Sequence, residues 1–240
     1  MAMLIAAGLV FLAIHFLVSG TPARDRIVAI VGERPYSVLF SIASLITIIW
    51  LVFAYNRASA SGGNQLLYST GGGLRDAGII IVALAFLLGI QGLFLRNPTS
   101  VQQESAASNP GTVQGVIRIT RHPFLWGVVI WSAFHLATNG DLASVVFFGT
   151  FFLLALFGTF QIDAKRRRKL GAAWEPFSAR TSNVPFVAIA QAEMSSGPPK
   201  WSAGAFGRPS RFFSSSSSRT TGCSIFRHSR AAGFRSDEWR

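Results

Sequence analysis

The sequence predicts an all-α, polytopic transmembrane helical bundle with about five spans and a C-terminal interfacial segment. Three observations predict it. Half of the 240 residues are apolar and only 13% are charged, whereas a soluble domain carries about 25% charged residues. Five stretches are apolar and long enough to cross a bilayer. Lys and Arg fall almost wholly in alternate connections between those stretches. The same composition excludes disorder over most of the length, and the lone Cys223 excludes a disulfide scaffold. One Cys and four His leave too few ligands for a structural zinc site. The net charge of +12 reads as loops facing the anionic lipid bilayer rather than as a nucleic-acid surface.

The spans are residues 2–19, 36–55, 77–95, 123–138 and 142–161, each close to the about 20 residues that the hydrocarbon core requires. The first has no basic segment before it and is followed by Pro22 and charged residues. It therefore reads as a retained span, not a cleaved signal. Basic residues lie in the first connection (Arg24, Arg26, Arg34), in the third (Arg96, Arg118, Arg121), and after the fifth span (the 165–169 run and Arg180). Together these are twelve, against only Arg57 and Arg75 on the other side. The asymmetry predicts an N-terminus outside and a C-terminus in the cytoplasm, as in a bacterial inner membrane. The second connection, with Ser61-Gly62-Gly63 and Gly71-Gly72-Gly73, reads as a mobile loop, and so does the polar third connection over 97–115. Asn139-Gly140-Asp141 makes the last two spans a tight hairpin. Residues 1–190 are expected to form the transmembrane domain. Residues 191–240, with Pro198-Pro199 and five serines at 214–218, read as a disordered, basic, Ser-rich tail in which Cys223 and His228 have no role.

Ionisable groups at membrane depth are costly, so those present are candidate functional residues. They are His15 in the first span, His135 in the fourth, His122 just before the fourth and Asp163 closing the fifth. A neutral imidazole at His15 can be satisfied by a backbone carbonyl or by Ser19. Imidazole is equally a haem ligand, and two histidines on separate spans suit bis-imidazole coordination. Arg121-His122-Pro123 reads as a helix start, since Pro costs nothing in the first turn, with Arg121 reaching toward phosphates. The 165–169 run reads as a solvated face toward anionic lipid, and Gly171, Trp174 and Phe177 as a segment lying at the interface.

These residues together resemble the NnrU family of integral membrane proteins. The resemblance rests on His15 followed by Ser19-Gly20, on the run Gly115-Val116-Ile117-Arg118-Ile119-Thr120-Arg121-His122-Pro123, on Trp131 and His135, and on Gly171, Trp174, Phe177, Thr181-Ser182 and Pro185-Phe186-Val187-Ala188-Ile189. It covers roughly residues 3 to 190. Two functions are implied by it. One is an isomerase of a polyene lipid, a hydrophobic small-molecule substrate, because the zeta-carotene isomerase branch of the family contains haem b. The two haem-linked histidines of that branch match His15 and His135, which the resemblance makes axial ligands of the haem iron. Its third histidine matches His122, placed with Arg121 to pair with a haem propionate. In this topology His15 and His135 differ in depth by roughly 10 Å at 1.5 Å per residue, and His15 with His122 is the other pairing. The second implied function is a non-catalytic accessory role in nitrite and nitric oxide respiration (denitrification). A separate resemblance, to membrane methyltransferases that use S-adenosylmethionine, rests on Arg121-His122-Pro123 before a hairpin, then Asp163, Trp174 and Phe177.

Overall fold

The computed structural model describes residues 1–19, 21–100 and 102–196. Among them every regular element is helical. Helix α1 (Ala2–Ala13) runs without a break into a π-helical segment, Ile14–Ser19. Thr21 then caps α2 (Pro22–Val31), its hydroxyl accepting the Ala23 amide at 3.2 Å, with Pro22 in the first turn. Gly32, at φ +88°, turns the chain into α3 (Glu33–Ser59). A short α4 (Gly72–Asp76) precedes α5 (Gly78–Phe94). The hairpin is α6 (Pro123–Thr138) and α7 (Leu142–Leu170), and the chain continues through α8 (Glu175–Ser178) and α9 (Val187–Ser196).

Four helices are long and apolar enough to cross a membrane, and α6 is a shorter apolar one of 16 residues. At 1.5 Å per residue α6 is about 24 Å long, less than the about 30 Å of hydrocarbon. It tolerates this because it is enclosed between α5 and α7. Helix α7 is central, with α1 and α3 on one side and α6, then α5, on the other. The core between α1, α3 and α7 holds Leu4, Ala7, Phe11, Leu51 and Phe148. Leu39, Ile46 and Ile79 point outward, as lipid-facing side chains do.

The α5–α6 contact depends on small residues. A Cβ at Gly127 would lie 2.6 Å from the Ala85 carbonyl oxygen, and one at Gly92 would lie 2.6 Å from the Phe124 amide nitrogen. Such close backbone approach is how membrane helices gain packing without a hydrophobic drive between them.

The first connection holds α2 over residues 22–31. Two sequence expectations are corrected. The second connection is pinned where it meets the hairpin turn. The Leu67 amide donates to the Gly140 carbonyl at 2.8 Å, and Leu142 donates to Gln65 at 2.9 Å. Asn64 donates to Asp141 Oδ1 at 2.9 Å and accepts the Ala143 amide at 2.9 Å. The third connection is also folded, in three 3₁₀ turns. Its Ala107 and Ile117 are buried against Trp174 and Phe177 in a second apolar cluster. Apolar residues spaced through the polar stretch meet partners about 60 positions later, which no local pattern reveals. The tail expected from residue 191 begins inside α9, and residues 197–240, with Cys223 and His228, lie outside the described residues.

Gly127→Ala should lower thermal stability in detergent by about 1–3 kcal/mol, the range for overpacking. Gly149→Ala, with nothing within 4 Å of the added carbon, should leave the melting temperature unchanged or higher. The orientation expected from the basic residues is tested with Gly62→Cys, where the added side chain meets nothing within 4 Å, and Arg168→Cys. A membrane-impermeant thiol reagent added to intact cells should label position 62 and spare position 168. The opposite pattern overturns the orientation.

Candidate functional site

The site is assembled at the end of the bundle where α6 starts and α7 loses its apolar character. Pro123 opens α6, and His122 is its N-cap residue. The two residues before it are fixed by their backbone. The Arg121 amide donates to the Ser182 carbonyl at 2.9 Å. The Arg121 carbonyl accepts from Asn97 Nδ2 at 2.9 Å and from the Thr99 hydroxyl at 3.0 Å. The Thr120 hydroxyl donates to the Asn183 carbonyl at 2.5 Å.

So fixed, His122 is buried and its Nε2 lies 2.8 Å from Asp163 Oδ1, on α7. Arg121 Nε lies 3.5 Å from the other oxygen, Oδ2, with its guanidinium carbon 5.9 Å from the centre of the Trp174 ring. Burial lowers the His122 pKa from its ordinary 6.5, outweighing the hydrogen bond from Asp163 that raises it. The ring is therefore neutral near pH 7, donating Nε2–H to Asp163 and keeping a lone pair on Nδ1. Beside this pair, Arg166 is buried, bound to the Glu104 carboxylate and donating to the Ser100 carbonyl at 2.6 Å. Burial opposes ionisation of Glu104, but Lys169 at 2.9 Å and Arg166 outweigh it and hold its pKa at about 2. The reading of 165–169 as one lipid-facing run is corrected here. Arg166 faces inward and fastens the third connection to α7, whereas Arg167 and Arg168 are exposed.

Three cavities meet at Phe124, which lines each of them. One of about 300 Å³ is bounded by Gly89, Gly127, Trp131 and Phe151 and is almost wholly apolar. A second, of about 380 Å³, lies under His122 with Asn97, Thr99 and Gln103. The third, of about 250 Å³, contains His15, Gln161 and Lys165 in its wall.

The structure places His15 and His122 on adjoining cavities and His135 elsewhere. His15 sits in the π-helical segment, its Nδ1 2.8 Å from the Phe11 carbonyl oxygen and its Nε2 3.4 Å from the Ser44 hydroxyl. Its ring packs edge-on to Phe40 at 5.3 Å. His135 stacks flat on Phe148, with ring centres 4.4 Å apart and planes at 11°, and its Nδ1 is 3.3 Å from the Asn139 amide. The rings of Phe11, Phe151 and Trp131 form a contiguous line between the two histidines. His135 meets α7 at Phe148 and His15 shares a cavity with Leu154, positions separated by roughly 9 Å along the helix.

A haem needs an oriented imidazole with a free nitrogen lone pair. His15 fits that requirement once the Ser44 hydroxyl, 3.4 Å from Nε2, turns away, because its Nδ1–H bond to the Phe11 carbonyl leaves the lone pair on Nε2. As packed, Phe11, Phe151 and Trp131 link the two histidines by ring contacts. Asn97, Thr99 and Glu104 were not candidates from the sequence. Asn97-Pro98-Thr99 does carry a local signal, the turn in which the Asn97 side chain accepts the Thr99 amide at 3.0 Å.

A family model described as NnrU protein matches residues 3–203. Among curated proteins, the chloroplastic 15-cis-zeta-carotene isomerase of Zea mays is 32% identical over 188 residues, covering 75% of this chain and 48% of that protein. The protein of the same name from Arabidopsis thaliana is 31% identical over 190 residues, again 75% of this chain and 48% of its own length. The chain thus spans about half the length of the curated relatives it matches. No solved structure matches.

Because the folded-state pKa of His122 is lowered, its contribution to stability is complete above pH 6.5 and is lost as pH falls below that value. Stability in detergent should therefore fall by up to about 1.4 kcal/mol per pH unit below pH 6.5. His122→Gln should flatten that slope. An unchanged slope would show that His122 does not control it.

Proposed function

The chain belongs to the NnrU family, and from that premise we propose that it is a membrane isomerase of a long polyene lipid. The observation that carries this reading is the junction of three cavities at Phe124. The apolar cavity lies between α5 and α6, where Gly89 and Gly127 let the helices approach, and its outer residues Phe86, Ile90 and Leu93 are exposed on the lipid side. A rod-shaped apolar substrate can enter such a cleft laterally from the bilayer and lie against Trp131 and Phe151. The π-faces of these rings suit a conjugated chain. The cleft adjoins, at Phe124, a cavity with the neutral His122 in its wall. The curated relatives are named for isomerising 15-cis-zeta-carotene, which is a substrate of this shape.

A b-type haem belongs to this reading. When bound it would supply a redox-active, Lewis-acidic iron to the double bond, and His15 is the residue that would hold it. The chain's own groups position the substrate and exclude water. The apolar cleft strips it of lipid, the Arg121–Asp163–His122 arrangement fixes the polar cavity's imidazole, and burial keeps that ring neutral. His135 and His122 are the alternatives that would supply a second nitrogen to hold it.

The protein is expressed with ample haem supply in a host that accumulates 15-cis-zeta-carotene, kept in darkness to prevent photoisomerisation. Loss of the 15-cis isomer, followed by chromatography, and a Soret band in the purified protein are expected. His15→Ala should remove or shift the band, and whichever of His122→Ala and His135→Ala also does so identifies the second ligand. A colourless wild-type protein that leaves the 15-cis isomer unchanged overturns the proposal.

A further inference from the structure

The cavity between the π-helical segment and α7 has features that a polyene does not need. Its wall changes character steadily along one face of α7. Leu154 and Gly158 are followed by Gln161 and then Lys165, over roughly 16 Å at 1.5 Å per residue. The facing segment changes in the same sense, from Phe16 to Ser19. An apolar shaft, an amide and hydroxyl collar and an ammonium group thus succeed one another. At Gly158 an added Cβ would meet only Leu125, at 3.7 Å, so the absent side chain is what leaves the shaft open.

The ammonium group is the second observation. Four other cations around this end of the bundle are matched. Arg24 pairs with Glu33 and Asp25, Arg121 with Asp163, and Arg166 and Lys169 with Glu104. Among the described residues Lys165 forms no ion pair with a carboxylate, although it is half-buried and lies within the positive field of Arg24, Arg166 and Lys169, against which Asp25 is the one opposing charge acting on it. A half-buried cation among like charges calls for an anion.

We propose that this cavity binds an anionic membrane phospholipid, one acyl chain lying beside Phe16 and Leu154 and the phosphate resting on Lys165. The order of chemistry along the wall is that of the lipid itself: hydrocarbon, then ester and glycerol oxygens, then phosphate. His15, the residue that would hold haem, lines this same cavity; the assignment uses neither its imidazole nor the apolar cleft between α5 and α6, and the Soret band of the same preparation is recorded beside lipid binding so that the two readings fail separately.

The test uses the full chain, purified and stripped of lipid in detergent, then titrated with phosphatidylglycerol or phosphatidylcholine. Native mass spectrometry reads lipid retained, and thermal unfolding reads stabilisation. Phosphatidylglycerol should bind about tenfold more tightly than phosphatidylcholine, the size expected of one charge-assisted hydrogen bond. Lys165→Gln should remove that preference, whereas Arg167→Gln, at an exposed site on the same helix, should keep it. Gly158→Leu should fill the shaft and weaken both lipids while leaving the melting temperature of the lipid-free protein at or above wild type. Equal binding of the two lipids by wild type overturns the proposal. So does equal weakening by Lys165→Gln and Arg167→Gln, or unaltered retention in Gly158→Leu. Polyene conversion is measured separately, so its failure is distinguishable from failure here.

Discussion

The peptide groups around Arg121 hold the functional end of this protein together. The Arg121 amide and carbonyl engage Ser182 in the C-terminal segment and Asn97 and Thr99 after α5. The neighbouring Ile119 carbonyl accepts the Phe186 amide at 2.8 Å. Two stretches distant in sequence thus meet on the residues just before Pro123. Each bond contributes only about 1 kcal/mol net, but a buried peptide group left without a partner costs about 1–3 kcal/mol. Proline at the start of α6 removes a donor that the first turn could not have used. The chain ahead of it can therefore satisfy its remaining groups outward, against the cap. The orientation of His122 toward Asp163 follows from this arrangement.

The folded third connection also explains why α7 ends in so basic a segment. A run of five cations would spread over lipid phosphates if all faced outward. Helical periodicity prevents that, because consecutive residues are turned by about 100°. Arg166 is carried inward to Glu104 and the Ser100 carbonyl, Lys165 toward the cavity beside His15, and Arg167 and Arg168 to the exterior. One run thereby fastens a loop, lines a cavity and leaves charge free for the membrane surface.

Aromatic packing separates the histidines. His15 is held by a carbonyl within a π-helical segment, a local geometry often retained where function requires it. His135 is clasped by Phe148, Trp131 and Phe134. The line of rings between them gives α1, α6 and α7 a common core, and the Phe124 cavities open on the side of His15 and His122. The same glycines that bring α5 onto α6 leave the lateral cleft, so packing and access come from one feature.

Much of the fold was legible in the chain itself. Span lengths, the basic asymmetry, the tight Asn139-Gly140-Asp141 turn and the proline before the fourth span are local properties, and hydrophobic length alone determines that these segments form membrane helices. Arg121, His122 and Asp163 also stood out in the chain, since charges beside a span are costly enough to require a reason. The sequence did not determine which of these groups meet. His122 and Asp163 are joined by the register of α6 against α7, and Glu104 and Arg166 by the folding of a connection that reads as a polar loop. His15 is brought to a cavity that shares Phe124, Leu125 and Ile162 with that of His122 by the packing of the π-helical segment beside α7. These are long-range matters of packing. A periodic apolar pattern specifies which face of a helix is buried, but the partner, the register and the side chains that share a cavity are decided only when the backbones pack.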